Sequence, residues 1–212
     1  MKALTRLIAG GLFALVANFP GPAAADDQDT CRNERGPAAI AACTRLIQSG
    51  RYKTKDAAAF YNSRAIKRRL ENDFDGAIAD YTQSIALDPL PLTYSNRGNS
   101  KRLKKDFKGA IADFSEALRL DPQYAPGYAN RALVKNESED IEGAIADYTK
   151  AIQLQPNYTS AYTNREGAYE RNGDLQRARA DYSKAVSLPE GQYTDGRWGR
   201  EEAGRRLDKL GR

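Results

Sequence analysis

Residues 76–82 read GAIADYT, residues 143–149 read GAIADYT again, and between them residues 109–115 read GAIADFS. The likeness runs past seven letters: GAIADYTQSIALDP (76–89), GAIADFSEALRLDP (109–122), GAIADYTKAIQLQP (143–156) and a looser RARADYSKAVSLPE (177–190). The copies stand 33, 34 and 34 residues apart. A second phrase leads each copy: YNSRA from Tyr61, YSNRG from Tyr94, YANRA from Tyr128 and YTNRE from Tyr162. A period of this length marks stacked units, none of which buries its apolar face alone.

Each unit reads as two helices. In the third copy Ile141, Ala144, Ile145, Tyr148, Ala151 and Ile152 recur at i, i+3, i+4, i+7, the stripe of an amphipathic helix. Asp73, Asp106, Asp140 and Asp174 precede these second helices as N-cap residues, and Pro89, Pro122 and Pro156 stop them. The first helix of each unit runs from near its Tyr to the capping Asp. Arg64, Arg97, Arg131 and Arg165 are followed 16 residues later by Asp80, Asp113, Asp147 and Asp181. In an antiparallel helix pair those places lie at about the same height, so the spacing predicts an Arg–Asp ladder that fixes the pairs.

The pattern resembles the tetratricopeptide repeat: a small residue four after an aromatic, then Ala, an aromatic and Ala along the second helix, then Pro. The resemblance covers about Ala57 to Pro189, with the ladder arginines where that family usually has Leu. It implies an all-α fold, a right-handed α-solenoid of stacked helix–turn–helix units with terminal capping helices. The chain then divides into a leader (1–25), an N-terminal capping half-repeat (26–50), four repeats (57–90, 91–123, 124–157, 158–190) and a closing helix and tail (191–212). In the half-repeat, AAIAACTRLIQSG (38–50) reads as one more second helix without a proper first helix, with Cys43 at the aromatic place. Arg197–Leu210 reads as a covering helix for the far end, or as a basic tail that binds something.

The N-terminus sets the expected compartment. Lys2 and Arg6, an apolar run Leu7–Ala17, Pro20, Pro22 and Ala23–Ala25 have the layout of a cleaved secretory signal, with an uncleaved N-terminal anchor as the other reading. The expected location is periplasmic or secreted. The net charge is +5, and loss of Lys2 and Arg6 with the leader lowers it to +3. In an exported chain the two cysteines, Cys31 and Cys43, suggest one disulfide, worth about 2–3 kcal/mol for a loop of this size. A reactive or metal-binding thiol pair is the alternative.

Several function classes are disfavoured by residue usage. Histidine is absent, which removes His-based triads and His zinc sites. No Gly-rich phosphate loop, nucleophile elbow or metal-ligand spacing is present, and the carboxylates that recur do so once per repeat. No enzyme, cofactor, metal or nucleic-acid partner is expected. The resemblance instead implies a concave groove, lined by the first helices, that holds a peptide or partner helix. Ser63, Asn96, Asn130 and Asn164 take the groove-facing place two after each Tyr, where an Asn amide can clasp a ligand backbone. The same residues could equally bond a neighbouring helix. Family members that grip a C-terminal carboxylate carry Lys or Arg where this chain has Asn62, Ser95, Ala129 and Thr163. Asn99 and Asn130 suit such a clamp, but its cations are missing. Arg69, Arg102, Asn136 and Glu170 are further groove candidates. The expected function is therefore an exported adaptor for a protein or peptide of unknown identity. The alternative is binding of anionic envelope polymer or membrane surface through Lys67–Arg69 and Lys101–Lys105.

Overall fold

The computed structural model describes residues 22–188, so the leader residues before 22 and the closing helix at 191–212 lie outside the described residues. Among the described residues ten helices follow one another: α1 (Pro22–Asn33), α2 (Gly36–Gln48), α3 (Thr54–Leu70), α4 (Phe74–Leu87), α5 (Pro91–Leu103), α6 (Phe107–Leu120), α7 (Ala125–Glu137), α8 (Ile141–Leu154), α9 (Thr159–Arg171) and α10 (Leu175–Ser187). They pair most closely as hairpins α1–α2, α3–α4, α5–α6, α7–α8 and α9–α10, stacked in chain order. The fold is an α-solenoid.

The hairpin chemistry repeats with the sequence. Asp73, Asp106, Asp140 and Asp174 each accept from a backbone N–H three residues on, at 2.9–3.0 Å, which caps the second helix. The turn before each cap uses one residue in the left-handed region: Asn72, Lys105, Glu139 and Gly173. The second helices end at Asp88, Asp121 and Gln155, extended residues that precede Pro89, Pro122 and Pro156. Between the helices the core is small-against-large. Ala77, Ala110, Ala144 and Ala178 are fully buried beside Tyr81, Phe114, Tyr148 and Tyr182. The fourth repeat departs from the pattern by burying Glu166 where the others have Ala65, Gly98 and Ala132.

The segment expected as a half-repeat has a helical partner after all. α1 lies along α2, and Cys31 and Cys43 are joined between them (S–S 2.14 Å). The sequence hides α1 because PAAADDQDTCRN carries almost no large apolar residue to betray a helical period. The disulfide supplies what an apolar stripe supplies elsewhere: both sulfurs are buried with Leu46 against Phe60 of α3. Asp27 accepts from Arg45 Nε at 2.9 Å and Nη2 at 2.5 Å, and this pairing holds its carboxyl below the usual range.

One asymmetry gives the stack its two faces. Each first helix also touches the first helix of the next hairpin (α3 on α5, α5 on α7, α7 on α9). Among the described residues no two successive second helices touch. Rods that meet on one side and diverge on the other curve towards the side that meets, so α3, α5, α7 and α9 line the inner face.

Candidate functional site

The ladder holds the inner helices in place. Arg64, Arg97, Arg131 and Arg165 each donate from Nε and Nη2 to both oxygens of Asp80, Asp113, Asp147 and Asp181, at 2.7–2.9 Å. The carboxylates are buried, with 3–6% exposure. Fork-to-fork pairing of this kind is the strong form of the interaction. Each guanidinium also lies 5.6 Å from the centre of the ring three residues before it, on Tyr61, Tyr94, Tyr128 or Tyr162. This accounts for the Tyr–x–x–Arg spacing of the leading phrase.

The third arm of each guanidinium was not legible beforehand. Nη1 of Arg64, Arg97, Arg131 and Arg165 donates at 2.9–3.1 Å to Thr44, Thr82, Ser115 and Thr149, hydroxyls on the preceding hairpin's second helix. One arginine therefore closes its own hairpin and stitches it to the one before. The acceptor is the last letter of GAIADYT, and Thr44 supplies the same letter from the cap. A second cation reaches three of the four carboxylates: Arg68 on Asp80, Lys101 on Asp113 and Lys135 on Asp147, at 2.8–2.9 Å. In the fourth repeat the equivalent residue is Tyr169, whose ring instead lies 5.6 Å from Arg165. The fixed hydroxyl and the cation four after three of the four arginines were the available sequence signals.

On the inner face, the row one place before each ladder arginine is Ser63, Asn96, Asn130 and Asn164. Asn130 Nδ2 donates weakly to Ser95 Oγ on α5 (3.4 Å), so this member is partly engaged between helices. The side chains of Asn96 and Asn164 bond no other described residue; Asn96 is half-buried and Asn164 exposed. Asn62 is half-buried, and its Oδ1 is fully shielded without a partner. Asn99 is half-buried on α5 beside this row. Towards the far edge of the face, Arg102 Nη1 donates to Glu137 Oε1 at 2.7 Å, and Arg171 donates to the Asn136 carbonyl and side chain at 2.5 and 2.8 Å. Arg102 is thus neutralised within the fold. Arg69 has no ion pair among the described residues, and its Nε is buried without an acceptor. It lies beside Tyr81, whose phenol is pushed above its usual value chiefly by burial.

No group of three or more metal-ligating side chains comes together among the described residues. None of the described helices is long and apolar enough to cross a membrane.

Comparison with known proteins agrees with this architecture. Family models described as the tetratricopeptide repeat match residues 91–124 and 125–158. The sequence matches none of the curated proteins compared with it. Among solved structures, MamA from Desulfovibrio magneticus RS-1 is similar at TM-score 0.69 and 17% identity, over 79% of this chain and 96% of that one. Another MamA structure gives TM-score 0.63 and 22% identity, over 70% of this chain and 80% of that one. The first tetratricopeptide repeat domain of Spaghetti (RPAP3), solved with an HSP90 peptide, gives TM-score 0.55 and 24% identity, over 58% of this chain and 99% of that one. At such identities the likeness is one of fold. With the four-fold sequence period, the stacked hairpins and the two family matches in agreement, the chain carries tetratricopeptide repeats.

Proposed function

We propose that this chain is an exported, non-catalytic scaffold that holds a segment of another protein against the inner face of α3, α5, α7 and α9. The observation that carries the reading is the asparagine row. Asn96 and Asn164 offer amides that bond nothing else described, Asn130 is only weakly engaged, and the three recur once per repeat. An amide presents donor and acceptor together, which fits a peptide backbone irrespective of side chain. The Spaghetti (RPAP3) domain was solved with a peptide, which supports this use of the fold. Export rests on the leader alone: soluble protein isolated from the envelope should begin at Asp26, and retention of Lys2 would overturn that part.

The test of binding is a photo-crosslinking amino acid at position 96, with position 146 on the outward side of α8 as control. Adducts from 96 but not 146 are expected. Each Asn→Ala change at 96, 130 and 164 should weaken capture of the crosslinked partner by about 1 kcal/mol while altering folding by less than about 0.5 kcal/mol. Adducts from 146 alone, or unfolding with capture intact, would refute the site.

The alternative, an anionic polymer or lipid surface, needs free cations in the two basic clusters. Arg68, Lys101, Arg102 and Lys104 are already paired with Asp80, Asp113, Glu137 and Asp75, and Lys67 is buried. That pairing counts against it. Capture that collapses with rising salt would speak for it.

A further inference from the structure

The inner face is not uniform along its length, and the difference lies in one row. Arg102 and Glu137 stand on successive first helices and pair at 2.7 Å. The repeat register carries Arg102 back to Arg69 and Glu137 back to Leu103. Where the second repeat meets a carboxylate from the third, the first repeat meets a leucine that is 42% exposed. Arg69 is left as an inner-face cation without an ion pair among the described residues. Beside it the Tyr81 hydroxyl is buried, close enough to feel the Arg69 charge. A guanidinium carries five N–H donors, more than one phenol oxygen can satisfy, so the group missing at Arg69 is an acceptor, and a carboxylate fits its charge and its fork geometry.

A second feature lies on the same face of α3. Asn62 precedes Arg69 by seven residues, two turns, so the two side chains share a face about 10 Å apart. Asn62 lines a cleft of about 150 Å³ with Ala58, Ala59, Leu90 and Leu92. That volume is about what one small hydrocarbon group fills. The leucines are 48% and 55% exposed, and the shielded Asn62 Oδ1 is an acceptor awaiting an N–H.

We infer that α3 and α5 form a two-point subsite for an extended peptide strand, which seats an aliphatic side chain in the cleft and places an acidic side chain on Arg69. The backbone N–H near the aliphatic residue donates to Asn62 Oδ1. In a polyproline II strand, which advances about 3.1 Å per residue and returns to the same face every third residue, a 10 Å separation sets the acidic residue about three positions from the aliphatic one. The assignment rests on the groove reading proposed above and adds what that reading lacks, a side-chain preference.

The test is a display selection of random peptides on the full mature protein, run in parallel on two variants. Leu103→Glu puts a carboxylate where Glu137 stands relative to Arg102, which neutralises Arg69 without removing it. The position is exposed, so the fold is kept. Arg69→Gln removes the charge directly. Peptides enriched on the wild type should carry Leu, Ile or Val with Asp or Glu about three positions away. Either variant should lose the acidic preference and keep the aliphatic one, and a wild-type-selected peptide should bind the variants at least about tenfold more weakly. Enriched peptides without the acidic residue, or with it retained on Leu103→Glu, overturn the subsite while leaving the groove reading intact. A requirement for a free C-terminus in place of the acidic side chain overturns it too. No enrichment at all overturns the subsite, and if phosphatidylglycerol vesicles bind instead, the groove reading falls with it.

Discussion

Arg165→Ala should cost more stability than Arg131→Ala, although the two arginines make the same hydrogen bonds. Each gives two bonds to a buried aspartate, one to a hydroxyl on the preceding hairpin and one contact with the ring three residues before it; Arg165 also meets the Tyr169 ring. The difference is what remains. After Arg131 is removed, Asp147 keeps Lys135 at 2.8 Å, so the loss is that of charge-assisted bonds, about 1.5–3 kcal/mol. After Arg165 is removed, Asp181, 5% exposed, keeps no cation among the described residues, because Tyr169 occupies the equivalent place. Stranding a buried charge costs about 3–5 kcal/mol. The lost hydroxyl bond and the contact with the preceding tyrosine ring are common to both and cancel, while loss of the Tyr169 ring contact adds to the cost of Arg165→Ala. Urea unfolding followed by circular dichroism gives the two values, and hydrogen exchange in α9 and α10 shows whether the second loss is confined to the last repeat, as nearest-neighbour coupling requires. Arg131→Ala combined with Lys135→Ala should approach Arg165→Ala, and Tyr169→Lys should restore part of the loss in the Arg165→Ala background. If Arg165→Ala costs no more than Arg131→Ala, the account of the second cation is wrong.

Three further outcomes are expected. Reducing the Cys31–Cys43 bond should loosen α1 and α2 by about 2–3 kcal/mol and leave exchange in α7 to α10 unchanged; a uniform loss along the array would refute the local role of the cap. Glu139 occupies the left-handed turn position that the fourth repeat fills with Gly173, so Glu139→Gly should raise stability by about 1 kcal/mol, read from the urea midpoint, and a decrease would show a contact that outweighs backbone strain. Burial first, and the nearby Arg35 charge second, push the Lys67 ammonium below the usual lysine value. The unfolded chain then holds that proton more tightly, so stability should rise as pH climbs from the depressed value towards the usual one. Lys67→Met should abolish that rise, and a slope that persists in the variant would assign it to other groups.

The parts of this architecture legible in the sequence are those that repeat with a residue type of narrow use. The capping aspartates, the stopping prolines and the Ala-against-Tyr core each have one physical reason to stand where they do. The 16-residue offset from Arg to Asp is what an antiparallel hairpin imposes on two residues at one height. Thr82, Ser115 and Thr149 escaped notice because a hydroxyl on a helix surface has many ordinary uses, and only the neighbouring hairpin reveals its donor. α1 escaped because a disulfide replaces the apolar stripe by which helices announce themselves. The inner face was partly legible: the asparagine row is visible as a period. The exception at Leu103 gains meaning only once Arg102 and Glu137 are seen to pair.

The arginine stitch bears on how such an array can change in length. Every hairpin carries a guanidinium for the neighbour behind it and a hydroxyl for the neighbour ahead, so the two ends of one unit are complementary to each other. A stretch of 34 residues copied in tandem brings its own half of both new joints, and no residue elsewhere must change to accept it. The N-terminal cap needs only the hydroxyl half, which Thr44 provides. Duplication and deletion of whole units are therefore low-barrier mutations for this gene, whereas a shift of one residue within a unit misaligns the donor and acceptor at every joint it touches.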